Sequence, residues 1–140
     1  MDQSSETKAI IQRVQRIPMV ATLKMKFEDF GQGTCRVKVP YDACYEGVFE
    51  SLHGGILMTV ADSVACFAIL TLTRADQRLT TTDMNIRFLA PCFTDVTAEA
   101  RVIRLGATMC PVAVDLHDEN SKLVAVAQVN YIRLRKPKKS

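Results

Sequence analysis

The sequence predicts an α+β fold in which a strongly curved antiparallel sheet wraps one long helix. Three observations carry the prediction. Residues 54–73 form a single long apolar segment opened by Gly54-Gly55. Two alternating runs, 22–30 (TLKMKFEDF) and 34–40 (TCRVKVP), flank Gly31-Gln32-Gly33, a hairpin signature. Further strand-like runs follow at 79–90, 95–105, 107–117 and 122–134. A helix apolar on every side must be covered all round, and a curved sheet around it is the economical cover.

Taken in order, Ser4 or Ser5 can cap a first helix. Its stripe is Ala9, Ile10, Val14 and Ile17, and Pro18 ends it. After the hairpin, residues 41–52 read as a loop leading to the long helix. Asp118-Glu119-Asn120-Ser121 is a turn before the last strand, and the last three runs read as a meander because the turns joining them are short. No internal repeat, low-complexity stretch or linker interrupts the chain.

The 140 residues fit one domain, 1–140, with a helix over 1–18 and a basic tail over 135–140. Apolar residues at 48% are enough for a real core. A formal charge of +3 is too small to suggest a nucleic-acid binder. The polar, mixed-charge N-terminus does not read as a signal peptide. The longest apolar run, Ile56 to Leu72, is interrupted by Asp62, Ser63 and two threonines, so it reads as a helix buried in protein and not as a membrane span. Cysteines 35, 44, 66, 92 and 110 are odd in number and form no CxxC pair. That pattern points to a reducing, cytoplasmic setting and away from a zinc or disulfide framework.

The densest polar constellation is His53-Gly54-Gly55, then Asp62, then Thr81-Thr82-Asp83-Met84-Asn85. Glycines at a helix start let a ligand approach the backbone, where unpaired N–H groups and the helix dipole favour a developing oxyanion. The same pattern also suits close packing at a helix start. Asp62 is the one acid in an apolar helix. It must be paired or hydrogen-bonded there, and a desolvated carboxylate is a better general base. A lone helical Asp more often lies on an exposed face, but Val60, Ala61, Val64, Ala65 and Cys66 leave no obvious solvent face. Thr81 could orient a water, although strand threonines are commonly just good β-formers. Cys66 reads as core and His117 as surface. Two histidines without ligand spacing argue against a catalytic metal. Arg135 and Lys136, at the start of the basic tail, are candidates to hold phosphates, although a solvated end is the commoner meaning of such a run.

From Gly55 to Asp62 is about 700° of helical rotation and about 10 Å of rise. The two share a face but lie two turns apart, too far to act on one carbonyl from one chain. If both act, two helices must lie side by side and antiparallel around a two-fold axis.

YEGVFESLHGGILMTVADSVACFAIL at 45–70 resembles the signature of the PaaI-like hotdog thioesterases, an HGG triplet followed by an acid on the central helix. TTTDMNIRFLAP at 80–91 is similar to that family's second signature, (S/T)xDxNIxFxxP, and the element order over roughly 20–134 fits too. The resemblance implies that Asp62 is nucleophile or general base, that the Gly55 N–H polarises the thioester carbonyl, that His53 shapes that end of the site, and that Thr81 positions the acid or water. It extends substrate contact to Gly54, Asn85 and Phe88. It also implies a homodimer or a tetramer built as a dimer of dimers. Many members carry Asn six residues before the His, where this chain has Gly47.

The resulting expectation is hydrolysis of an acyl-CoA thioester to acid and CoA. A thioester already has a good leaving group, so a base and an oxyanion site suffice without a cofactor. The rivals are a hotdog dehydratase or hydratase, for which no matching dyad motif is evident, and an acyl-CoA-binding module, which would not need Asp62.

Overall fold

The computed structural model describes residues 3–135, with side chains from residue 5. Helix α1 (Gln3–Gln15) packs Ile10 and Val14 into the core. It already runs from Gln3, so neither Ser4 nor Ser5 stands at its cap. Pro18 does follow the end of α1, but it also opens a short helix that the sequence did not suggest, α2 (Pro18–Thr22). Proline is preorganised for the first helical turn, where its missing N–H costs nothing. The expected strand at 22–30 therefore starts only at Lys26.

Strands β1 (Lys26–Gly31) and β2 (Thr34–Val39) form the expected hairpin around Gln32-Gly33. A bulge between Phe27 and Asp29 turns both Phe27 and Phe30 towards the core. Their rings stack at 5.2 Å, and Phe27 lies 5.5 Å from Phe67 of the central helix. That helix, α3 (Gly54–Leu70), stops before the expected Thr73 and is followed by turns at Thr71, Leu72 and Thr73. Then come β3 (Arg78–Phe88), β4 (Val96–Val102), β5 (Met109–Asp118) and β6 (Leu123–Leu134).

All six strands pair antiparallel in one sheet of order β1-β2-β4-β5-β6-β3. The expected meander of the last three strands is present, and its 118–121 turn is closed by the Asp118 carboxylate accepting from Asn120 and Lys122. The inward residues of β2, β4, β5 and β6 are Val, Ala, Leu, Cys and Tyr. They close on Leu57, Val60, Ala61, Val64, Ala65, Phe67, Ala68, Ile69 and Leu70 of α3. Each large side chain so buried contributes roughly 1.5–3 kcal/mol.

The helix is not covered all round within one chain. Gly55 and Met58 are exposed, and Thr59, Asp62, Ser63 and Cys66 are only partly covered. They recur at three- and four-residue steps, so they make one stripe. β3 lies beside that stripe at the end of the sheet, eleven residues long and pairing within the chain only with β6.

Candidate active site

The α3 N-terminus is built by a loop with backbone anchors at both ends. The His53 N–H donates to the Tyr45 carbonyl, and the Leu52 N–H to that of Cys92, each at 2.8 Å. His53 is the N-cap, and its carbonyl accepts from the Ile56 and Leu57 N–H groups at 2.9 and 3.2 Å. Its ring folds back so that Nδ1 accepts from the Gly55 N–H at 2.8 Å. An accepting Nδ1 carries no proton, which leaves Nε2 as the protonated nitrogen of the neutral ring.

The two glycines make room for side chains of their own chain. A Cβ on Gly55 would lie 3.1 Å from His53 Nδ1, and one on Gly54 would lie 3.1 Å from the tip of the Phe88 ring. The Gly55 N–H, read from sequence as pointing at a ligand, is thus engaged by its own cap. The Gly54 N–H makes no hydrogen bond among the described residues. Beside Gly54 is a cavity of about 440 Å³ walled by Leu52, Leu57, Phe88, Leu89 and Cys92. Beside Gly55 a second, of about 350 Å³, is walled by Cys44, Tyr45, His53 and Ile56.

Two turns further along α3, Asp62 sits half-buried on the open stripe. Its Oδ1 accepts from the Thr81 hydroxyl at 2.8 Å and from the Tyr131 phenol at 2.7 Å. Tyr131 also lies 2.7 Å from the Asp62 carbonyl oxygen. A phenol has one proton, so it serves one of these oxygens at a time. No hydrogen bond reaches Oδ2 from the described residues. Burial holds the Tyr131 phenol well above its usual range, with Cys66 and then Asp62 adding to the effect and the Thr81 hydrogen bond opposing it. Cys66, one turn on from Asp62, is pushed up to about 12, mainly by burial and then by the Asp62 charge. It is a thiol at neutral pH and no nucleophile.

A β-bulge decides which residues of the TTTDMNIRF strand meet Asp62. Thr81 pairs with Tyr131 and Asp83 with Asn130, leaving Thr82 as the extra residue. Leu79 and Thr81 before the bulge, and Met84 and Ile86 after it, form the more covered set of this strand. Asp83 and Asn85 are turned outward. Asp83 accepts from the Asn130 amide at 3.0 and 3.1 Å, and Asn85 accepts from Arg87 at 3.2 Å. Without the bulge, residues 81, 83 and 85 would share one face.

The residues singled out from sequence therefore fall into separate groups. Asp62 meets Thr81, His53 meets Gly55, and Gly54 meets Phe88. Asn85 is exposed on the opposite face of β3, Arg135 is exposed just past β6, and Lys136 lies outside the described residues. Sequence reading missed Tyr131. Its signal was a phenol two residues after Val129, on the face of β6 that turns inward, because a buried phenol needs a partner.

The arrangement offers a carboxylate oxygen beside two hydroxyls, and separately a helix start with an unengaged N–H. Residues 49–125 match the thioesterase superfamily. A protein of Saccharolobus solfataricus that carries an esterase name is 32% identical over 114 residues, covering 81% of each chain. Human acyl-coenzyme A thioesterase 13 is 30% identical over 98 residues, 68% of each chain. The solved structure of the E. coli PaaI protein from the phenylacetic acid degradation operon is 20% identical, with a TM-score of 0.83 over 93% of this chain and 96% of that one. The PaaI likeness gives the chain the hotdog fold, and with more than half of its residues inside the family match the chain belongs to the thioesterase superfamily.

Proposed function

We propose that this chain hydrolyses acyl-CoA thioesters to the free acid and CoA, at two equivalent sites in a homodimer. The observation that carries the reading is the Asp62 carboxylate, with Oδ1 held by two hydroxyls and Oδ2 unengaged on an open stripe of the helix. Two donors on one oxygen fix the carboxylate plane and leave the other oxygen to act on the thioester carbonyl, directly or through a water it deprotonates. A pure binding module has no use for such a group.

The oxyanion partner comes from a second copy. Asp62 and the α3 N-terminus are separated by about 10 Å of helix rise, so they cannot flank one carbonyl carbon within a chain. An antiparallel neighbour helix laid on the open stripe would set its own N-terminus beside Asp62. It would also pair β3, an eleven-residue edge strand of a kind that soluble proteins seldom leave uncovered. The Gly54 N–H is then the donor ready for the oxyanion, His53 Nε2–H lies at the same end, and Gly55 joins only if His53 leaves its cap. Collapse of the tetrahedral intermediate breaks the carbon–sulfur bond, and the CoA thiolate leaves. The water route gives the free acid at once; on the direct route water then hydrolyses the acyl-Asp62 anhydride to the acid and the carboxylate.

The test is a panel of acyl-CoAs with chains of increasing length, and aryl examples, assayed for release of free thiol. Thiol release dependent on Asp62 is the expected result. Binding of the panel without thiol release would replace the reading with an acyl-CoA-binding module.

A further inference from the structure

Just before His53 the chain makes a tight reversal with Val48-Phe49 at its tip. Val48 is 90% exposed and Phe49 86%, the largest fractions of any large apolar side chain among the described residues. The tip is firmly built all the same. Glu46 and Leu52 pair as an antiparallel bridge, the Gly47 N–H donates to the Ser51 carbonyl at 2.8 Å, and the Glu50 N–H donates to the Gly47 carbonyl at 3.3 Å. The Tyr41 hydroxyl donates to the Glu50 carbonyl at 3.1 Å, and the Tyr41 N–H is anchored on the Asp95 carboxylate at 2.7 Å. Glu50 takes a left-handed backbone conformation, φ 64°, that side chains rarely adopt. Two apolar side chains held out in water on so ordered a frame mark a contact surface.

The base of this loop borders the open stripe of α3. Cys44, Tyr45 and Glu46 wall the cavity beside Gly55, where the stripe begins, and a Cβ on Gly47 would sit 3.7 Å from His53 Cα. Charge is unevenly spread along the helix. From residue 39 to residue 73 the chain has four carboxylates, Asp42, Glu46, Glu50 and Asp62, and no Lys or Arg. Beyond Leu70, Arg74, Arg78, Arg133 and Arg135 line one cavity. Two copies laid antiparallel set the acidic start of each α3 towards the basic end of the other. Tip against tip would instead crowd Glu46 and Glu50 against their own counterparts.

We infer that the Val48-Phe49 tip of each copy docks on the other copy's α3 just beyond Asp62, against the part of the stripe that carries Cys66, and forms an apolar wall of that copy's site. The inference rests on the two-fold pairing proposed above. That pairing sets a helix start beside Asp62 of the other copy, and the tip travels with the helix start. It reaches about two strand residues past the Glu46–Leu52 bridge, roughly 7 Å. Cys66 lies four helical residues beyond Asp62, about 6 Å of rise. The two lengths match. Cys66 suits the contact, being half-covered and a neutral thiol that packs as a small apolar group. A wall there shields the thioester from bulk water, and charge interactions at Asp62 strengthen in the drier site. Each site then takes Asp62, Thr81 and Tyr131 from one copy, and the helix start and the apolar tip from the other.

The chain has no tryptophan, so Phe49→Trp in the full-length protein places a single indole at the tip. On an isolated copy that side chain stands in water, so its emission reports docking without any turnover. We expect blue-shifted emission and little quenching by acrylamide in the dimer, both lost on dilution to monomer. The Val48→Ser/Phe49→Ser variant, altered only at exposed positions, should lose about tenfold or more in kcat/KM for acyl-CoA hydrolysis with the two apolar contacts gone. Mixed dimers of this variant with Asp62→Asn, isolated through two different affinity tags, locate the effect. Their one live site joins the variant's Asp62 to an intact tip, so kcat/KM per live site should return to the wild-type value. Persistence of the loss in the mixed dimer would show that the tip serves its own chain and would overturn the inference. A water-exposed indole in the dimer, a wild-type kcat/KM in the tip variant, or a chain that stays monomeric at every concentration would overturn it too. A buried indole with no thiol release from any acyl-CoA would uphold the docking and strike only the hydrolytic reading.

Discussion

Replacing Asp62 by Asn separates chemistry from structure, because the substitution preserves shape. The Asn Oδ1 can still accept from Thr81 and Tyr131, which now lie 2.8 and 2.7 Å from the carboxylate. Its NH₂ takes the place of Oδ2, the oxygen with no partner among the described residues. Hydrogen bonds to a charged acceptor contribute about 1.5–3 kcal/mol each, and those to a neutral one about 0.5–1.5. Two weakened bonds cost about 2–3 kcal/mol, partly offset because a half-buried charge no longer needs solvation. The net stability change is then about 2 kcal/mol or less, a fall of several degrees in Tm at this chain length. The lost base or nucleophile should lower kcat by about 10³ or more. Thiol release from the best acyl-CoA and a thermal melt measure the two quantities. Activity within tenfold of wild type at an unchanged Tm would refute the role of Asp62, and a collapse of Tm would show its hydrogen bonds to be chiefly structural.

Thr81→Ala and Tyr131→Phe each remove one of two donors to the same oxygen, so each should lower kcat roughly tenfold to a hundredfold with little change in KM. A neutral Thr81→Ala would return that residue to ordinary strand duty. For the shared site, Asp62→Ala and Gly55→Val, which forces a side chain against His53 Nδ1, should each be inactive alone. Unfolded together and reassembled, they should recover about a quarter of wild-type activity, since half of randomly paired dimers are mixed and each holds one intact site. No recovery, with mixed dimers seen by mass spectrometry, would place the site within one chain. The raised phenol of Tyr131 also sets a sign for alkaline stability. Its proton is held more tightly in the folded than in the unfolded chain, so its contribution is complete below the unfolded value of about 10 and is lost as pH rises above it. Urea midpoints at pH 8 and 11 should therefore fall further in wild type than in Tyr131→Phe, and equal falls would contradict the assignment.

The sequence by itself determined the elements and the kind of chemistry. Hydrophobic period, the Gln32-Gly33 turn and the apolar α3 are local signals, and each marks an element that the fold contains, although α3 ends at Leu70 and keeps one stripe uncovered. The His53-to-Asp62 spacing and the DMNIRF strand sufficed to place the chain beside the family that its match bears out. Tertiary structure alone decided what depends on bulges and on contacts between distant segments. One extra residue at Thr82 keeps Thr81 on Asp62 and turns Asp83 and Asn85 away, and an alternating pattern cannot reveal a register slip that only the partner strand defines. Pro18 reads as a stop, yet with its ring at a helix start it opened α2. Tyr131 became a partner of Asp62 only when β6 was laid beside β3, 69 residues from the acid in sequence. The cavity lined by Arg74, Arg78, Arg133 and Arg135 likewise joins positions near 75, 107 and 134 that share nothing in the string. Its charge became visible only once folding set them side by side, because electrostatic fields depend on distance in space and not on distance along the chain.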